Sequence, residues 1–101
     1  MKDEKLRKIL NKYGEENEAT FLLLDGFDGS IIGVSHDHRV IYDYHKMIKE
    51  FADYNKCSEE EAEEFIQYNT LRALPYYNDK DGNKPIIIEL SLEELEMYYS
   101  D

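Results

Sequence analysis

The sequence predicts an α+β fold, with helices packed on one face of a small, mostly antiparallel sheet of three or four strands. Four segments carry apolar residues at helical spacing, and short β-branched or aromatic runs bounded by Gly, Asp or Pro lie between them. Their order along the chain is α-β-β-β-α-α-β-α. A chain of 101 residues has room for one hydrophobic core, so we expect a single domain over residues 1–101.

The first two predicted elements are an amphipathic helix and a short buried strand. The apolar stripe of the helix consists of Leu6, Ile9, Leu10 and Tyr13. Gly14 follows the stripe and is typical of a helix C-terminus. Residues 20–24 form an apolar run before Asp25 and Gly26, long enough for a strand and too short for a helix.

The segment GVSHDHRVIYDYHK predicts a hairpin followed by a helix. We expect strands at residues 31–34 and 39–44, because the four polar residues between them suit a hairpin loop. Side chains alternate along a strand, so Val40, Tyr42 and Tyr44 share one face, which we predict to be the core face. From Tyr44 the apolar spacing becomes helical and continues to Phe51.

Two capping boxes mark the later helices. Ser58 and Glu61 have the Ser-x-x-Glu spacing in which each side chain satisfies a backbone N–H of the first turn, and Ser91 and Glu94 repeat it. We expect the first of these helices to end at Pro75. Its predicted buried stripe is Ala62, Phe65, Ile66, Asn69 and Ala73. Between the two helices, the run IIIEL predicts a further strand.

The charge balance excludes some function classes. Net charge is −11, from 23 acidic and 12 basic residues, so the chain repels a nucleic-acid backbone and we expect no direct nucleic-acid binding. An acidic surface suits a basic protein partner or mimicry of nucleic acid. No apolar run approaches the roughly 18 residues of a membrane span, and the N-terminus lacks the pattern of a signal peptide. We therefore expect a soluble, cytoplasmic protein that does not bind membranes.

Motifs of catalysis are not found in the sequence. Cys57 is the only cysteine and precedes a run of carboxylates, which disfavours a reactive thiolate. No nucleophile elbow, phosphate-binding loop or His-Glu-x-x-His is present. The Asp79 to Asn83 turn resembles a calcium loop only in its centre, since Tyr77 and Ile88 fall where carboxylates are required. We expect neither an enzyme nor a cofactor.

The three histidines suggest an alternative. His36, His38 and His45, with Asp37, are residue types that hold zinc or another transition metal. This metal-binding or metal-dependent enzyme hypothesis requires the chain to fold back, since His45 lies about seven residues or roughly 20 Å of extended chain from His38. Otherwise His36 and His38 belong to a polar hairpin loop, where Asp37 and His38 tolerate unusual backbone angles.

A second candidate site lies in the segment QYNTLRALPYY. An amide on an apolar stripe needs a hydrogen-bond partner, so Asn69 is expected either to bond a backbone group or to belong to a binding surface. Tyr and Arg anchor protein interfaces because they bring large amphipathic area at low entropic cost. The candidate partner-binding residues are Tyr68, Asn69, Arg72, Tyr76, Tyr77, His36 and His38.

The stretch from Gly29 to Ile88 resembles a family of small proteins of bacteria, phages and mobile elements. The shared pattern is IIGV, RVIYDY, KMI, EEA, YNTLRALPY and PIII. That family has an Asp-x-x-Gly-Arg turn where this chain has Ser-His-Asp-His-Arg. No activity is assigned to the family, so the resemblance implies a phage or mobile-element context and no catalytic residues.

The leading hypothesis is a small acidic module that binds a protein partner, for instance a stoichiometric inhibitor of a host defence or nucleic-acid enzyme that acts as anti-CRISPR proteins do. Beside the metal hypothesis, a self-associating structural protein is the other alternative, with Tyr and Leu of the terminal helices forming a homodimer seam.

Overall fold

The computed structural model describes residues 2–78, 80 and 82–100. Within them the chain is α+β. The α-helices are α1 (Lys2–Asn17), α2 (Tyr44–Asn55), α3 (Glu59–Phe65) and α4 (Leu92–Tyr99), and the strands are β1 (Ile31–Val34), β2 (Val40–Asp43) and β3 (Ile86–Ile88). A π-helical segment, Ile66–Leu71, continues α3, and short 3-10 turns span Asp28–Ser30 and Leu74–Tyr76. Asp79 and Asp81, from the turn compared with a calcium loop, lie outside the described residues.

The sheet is mixed, which corrects the expectation of a mostly antiparallel one. Its order is β1-β2-β3. The predicted hairpin pairs β1 with β2 antiparallel, with Val34 opposite Val40. β3 pairs with β2 in parallel, with Ile87 opposite Tyr42. The chain between β2 and β3 passes through α2 and α3, a crossover long enough to bring it back in the same direction.

Residues 20–24 do not form the predicted strand. Phe21 makes only an isolated bridge with Asn83, and the Leu22 N–H donates to the Asn83 carbonyl at 3.1 Å. Gly82, at φ +129°, allows this approach, since a Cβ there would lie 2.8 Å from the Leu22 nitrogen. The predicted order therefore has one strand too many, because the apolar run packs as an extended segment outside the sheet.

Helix α1 runs past Gly14, where the sequence predicted its end. The Gly14 carbonyl accepts a hydrogen bond from the Ala19 N–H at 2.8 Å, and a Cβ on Gly14 would lie 2.5 Å from the Ala19 oxygen. The left-handed residue after the helix is instead Glu18, at φ 53°. Gly14 is thus required by the returning chain and does not terminate the helix.

The core is centred on β2 and the helix that follows it. Val40 and Tyr42 have no exposed surface, as the predicted core face requires. The Tyr42 hydroxyl accepts a hydrogen bond from the Leu24 N–H at 2.8 Å, which fixes the extended segment on the sheet. The buried core residues are Leu10, Leu24, Phe27, Val40, Tyr42, Tyr44, Met47, Ile48, Ala52, Ala62 and Ile66.

An ion pair fixes α1 against the rest of the fold. The Arg7 Nε donates to Asp28 Oδ2 at 2.7 Å and its Nη2 donates to Oδ1 at 3.0 Å. Asp28 is buried, and its hydrogen bond raises the pKa of Arg7. Removing either partner would leave a charge poorly compensated, so this pair belongs to the scaffold.

Candidate binding surface

The π-helical segment determines which side chains face outward after α3. Ser58 starts α3 with the predicted capping box, its hydroxyl accepting from the Glu61 N–H at 3.0 Å. At the end of the segment the Arg72 N–H donates to the Gln67 carbonyl at 3.2 Å, the i to i+5 spacing of a π-helix. One additional residue per turn rotates the following side chains away from the positions that α-helical spacing predicts.

Asn69 shows the effect of this rotation. The sequence placed it on the buried stripe, and the structure places it on the surface. Its Nδ2 donates to the Phe65 carbonyl of the preceding turn at 3.1 Å. The predicted burial was wrong because the stripe was drawn at 3.6 residues per turn through a π-helical turn. The expected backbone partner exists, but it belongs to the same helix.

The residues predicted from QYNTLRALPYY form what we call the tyrosine surface: Tyr68, Asn69, Arg72, Tyr76 and Tyr77. Tyr68 is 62% exposed and Tyr76 is 87% exposed. The Arg72 guanidinium carbon lies 6.0 Å from the centre of the Tyr68 ring, at the limit of a cation–π contact. Asn69 lines two surface depressions, one shared with Tyr68 and one shared with Tyr77.

The three histidines have different local environments. His36 is exposed in the hairpin loop. His38 is half-buried, and its Nδ1 shares a hydrogen bond with the Tyr13 hydroxyl at 2.9 Å. Its carbonyl accepts from Asn83 Nδ2 at 2.8 Å, and its φ of 62° confirms the unusual backbone predicted for the loop. His38 therefore joins α1, the hairpin and the segment before β3.

His45 has a different environment, at the start of α2. Its Nδ1 lies 3.3 Å from Glu94 Oε2, and its ring meets Tyr98 edge-on with centroids 5.6 Å apart. Among the described residues, no group of three or more His, Cys, Asp or Glu side chains is arranged to hold a metal ion. The hypothesis of a metal at His36, His38 and His45 thus has no support from the geometry.

Sequence reasoning missed a buried carboxyl pair beside His45. Asp43 has no exposed surface, and its Oδ1 accepts from the Lys46 N–H at 3.0 Å as the N-cap of α2. Within the described residues Asp43 Oδ2 has no donor. Burial and the neighbouring Glu94 raise the pKa of Asp43, whereas a hydrogen bond with Asp43 lowers the pKa of Glu94. Asp43 in β2 and Glu94 in α4 therefore titrate as a coupled pair, with the proton favoured on Asp43.

The structure also contains a cleft that the sequence did not predict, which we call the phenylalanine cleft. The rings of Phe27 and Phe51 stack with centroids 6.3 Å apart, and those of Phe51 and Phe65 with centroids 4.5 Å apart. The available signal was local: Phe51 and Phe65 each lie on a predicted apolar stripe. The two apolar stripes meet the loop residue Phe27 in one stack only through tertiary packing, which the sequence pattern does not reveal.

Comparison with known proteins does not add a relative from which function can be carried over. No protein-family model matches the chain, and no curated protein or solved structure matches it. In the part of the chain that the structure describes, no helix is both long and apolar enough to span a membrane.

Proposed function

We propose that the protein is an acidic protein-interaction module that acts by binding rather than by catalysis, through the tyrosine surface. The observation that supports this most directly is the exposure of Tyr68 and Tyr76, with Arg72 placed against the Tyr68 ring. Large exposed aromatic side chains cost solvation free energy in an isolated monomer and are typical anchors of protein interfaces. π-Helical turns are also frequent at functional sites.

The charge supports a protein partner. A net charge of −11 disfavours nucleic acid and favours a surface with positive potential. We propose a cytoplasmic protein of phage or mobile-element type, a stoichiometric inhibitor of a host defence or nucleic-acid enzyme, comparable in logic to anti-CRISPR proteins. Small size, acidity and the resemblance of Gly29 to Ile88 to a family of small proteins of bacteria, phages and mobile elements support this form.

Affinity capture from the source cell tests the proposal. The wild-type chain, a Tyr68→Ala/Tyr76→Ala variant and a Tyr98→Ala/Tyr99→Ala control are used as baits, since all four tyrosines are at least 48% exposed. We expect a partner on the wild type and the control that the first variant loses and that high salt weakens. Capture of no partner at low salt, or equal capture by all three baits, contradicts the proposal.

The inhibitor form has a separate test. Once a partner enzyme is captured, its activity is titrated with the purified protein. Inhibition that is complete at a fixed molar ratio supports stoichiometric binding. An enzyme activity that does not change contradicts inhibition by binding. Inactivation of the enzyme by far less than one molar equivalent of the protein also contradicts it, because it would indicate a catalytic effect.

Self-association is a second candidate, favoured by α4. Five of its eight residues are apolar or aromatic side chains that are at least 43% exposed: Leu92, Leu95, Met97, Tyr98 and Tyr99. Leu92, Leu95, Tyr98 and Tyr99 fall on one side of α4, and such a face suits a symmetric seam with a second copy. Light scattering over a range of concentrations tests it, and a monomer mass at the highest concentration excludes it.

A further inference from the structure

The phenylalanine cleft has an apolar floor and an open side. Phe27 is 5% exposed and forms the floor, while Phe65 is 44% exposed at the side. The cleft has a volume of about 400 Å³ and is also lined by Tyr54, which is 86% exposed. A depression of this kind offers apolar aromatic surface to the stem and the head of a long side chain.

The rim of the cleft is acidic. Asp25 and Glu50 line it, and among its described lining residues none is basic. The Glu50 carboxylate is held in place, because it accepts from the Ser30 hydroxyl at 2.7 Å and from the Gly29 N–H at 3.1 Å. The Asp25 side chain is fully exposed, with Arg7 at 3.6 Å. The adjoining depression at Phe65 adds Glu61 and Glu64.

We propose that the phenylalanine cleft accepts an arginine side chain from a basic segment of the protein partner. The guanidinium plane stacks on the exposed ring of Phe65, its N–H groups donate to Asp25, and its methylene stem covers the Phe51 edge. Charge complementarity selects this occupant, because apolar rings beneath carboxylates suit a cation with an apolar stem better than a neutral side chain. This inference depends on the proposed function, since it names the chemistry by which a partner is recognised.

The test is an NMR titration of the full ¹⁵N-labelled chain with a blocked peptide of alternating Gly and Arg. Two matched peptides replace each Arg with citrulline, which is neutral with the same shape, or with norleucine, which is apolar. We expect amide shifts concentrated at Phe27, Phe51 and Phe65 with the Arg peptide, and affinity at least about fivefold weaker with either neutral peptide.

Variants locate the binding. Asp25→Asn and Phe65→Ala should each weaken the binding of the Arg peptide by about fivefold, while Glu16→Gln on α1 and Ile32→Ala on β1 should leave its affinity unchanged. The side chains of Asp25 and Phe65 are both exposed, so neither substitution removes a core residue. Circular dichroism verifies that each variant is folded. Shifts spread evenly over the acidic surface, equal binding of citrulline or norleucine peptides, or no shifts would overturn the proposal.

The two proposals fail in different ways. If affinity capture finds a partner that depends on Tyr68 and Tyr76 while the Arg peptide does not shift the cleft residues, the proposed function stands and the cleft assignment is wrong. If the cleft binds the Arg peptide while no partner is captured, the assignment stands and the proposed function is wrong.

Discussion

Strand β2 and the π-helical segment use their aromatic and polar side chains in opposite ways. In β2 the side chains of Val40, Tyr42 and Asp43 are fully buried, and the hydroxyl of Tyr42 bonds the Leu24 N–H. In the π-helical segment only Ile66 is buried, and Tyr68 and Asn69 face water. Side chains of one type therefore stabilise the fold in one region and are free to contact a partner in the other.

The largest expected effect separates Ile66, the first residue of the π-helical segment, from Phe65, the last residue of α3. Ile66→Ala should lower the free energy of unfolding by about 2 to 5 kcal/mol, because it leaves a cavity at a fully buried site. Phe65→Ala, one residue earlier, should cost only about 1 kcal/mol, mainly from lost stacking on Phe51. Denaturant unfolding measures both, and equal losses would contradict the described orientation of the turn.

A tyrosine pair gives the next largest contrast. Tyr42→Phe should cost about 1 to 3 kcal/mol, because the Leu24 N–H loses its acceptor inside the protein. Tyr68→Phe removes the same hydroxyl from an exposed ring and should change stability by less than about 0.5 kcal/mol. Thermal unfolding of the two variants compares them directly. A neutral Tyr42→Phe would mean that the hydroxyl does not support the extended segment.

The carboxyl pair of Asp43 in β2 and Glu94 in α4 predicts that the stability of the fold depends on pH. The pKa of Asp43 is raised on folding, so its contribution is present at low pH and is lost as pH rises through the raised value. The pKa of Glu94 is lowered to about 2, so its contribution is lost as pH falls toward that value. Between the ordinary carboxyl pKa of about 4 and the raised value for Asp43, stability should therefore fall with rising pH.

Asp43→Asn tests this assignment. The amide keeps an oxygen for the Lys46 N–H and supplies a permanent donor toward Glu94, so stability at neutral pH should rise by about 1 kcal/mol. The fall in stability with rising pH above the ordinary carboxyl pKa should become shallower in this variant. A variant that is less stable than the wild type at neutral pH would show that Asp43 acts there as a carboxylate, with His45 or Lys46 as its partner.

The smallest expected effect compares two amides. Asn69 Nδ2 donates to the Phe65 carbonyl in the π-helical turn, and Asn55 Nδ2 donates to the Phe51 carbonyl in α2. Both are exposed, so Asn69→Ala and Asn55→Ala should each change stability by less than about 0.5 kcal/mol. A loss of 1 kcal/mol or more at Asn69 alone would mean that the amide has a partner inside the fold.

Features fixed by neighbouring residues were predictable from the sequence. Both capping boxes are confirmed, with Ser91 accepting from the Glu94 N–H as Ser58 does from Glu61. Strand β1 has the predicted bounds Ile31–Val34. Each of these depends on contacts within a few positions along the chain or on simple alternation, which a pattern of residue types encodes.

Features fixed by distant residues were not predictable. The parallel pairing of β3 depends on where a long crossover returns the chain, and the stack of Phe27, Phe51 and Phe65 depends on how three segments pack. The π-helical turn has no pattern of its own, because α-helical spacing fits the same residues. In the candidate site, the residue types of Tyr68, Arg72 and Tyr76 were enough to suggest interface residues. The exposure of Asn69 could be seen only in the structure.

The buried phenol of Tyr42 also has an optical consequence. The chain contains nine tyrosines and no tryptophan, so tyrosine dominates its near-ultraviolet absorbance. Burial raises the pKa of Tyr42 to about 12, whereas phenols of an unfolded chain ionise near pH 10, about their ordinary value. Burial also raises the pKa of Tyr44, so in an alkaline titration the last fraction of the phenolate absorbance to appear belongs to these two buried phenols. Loss of that late fraction reports opening of the core without any added label.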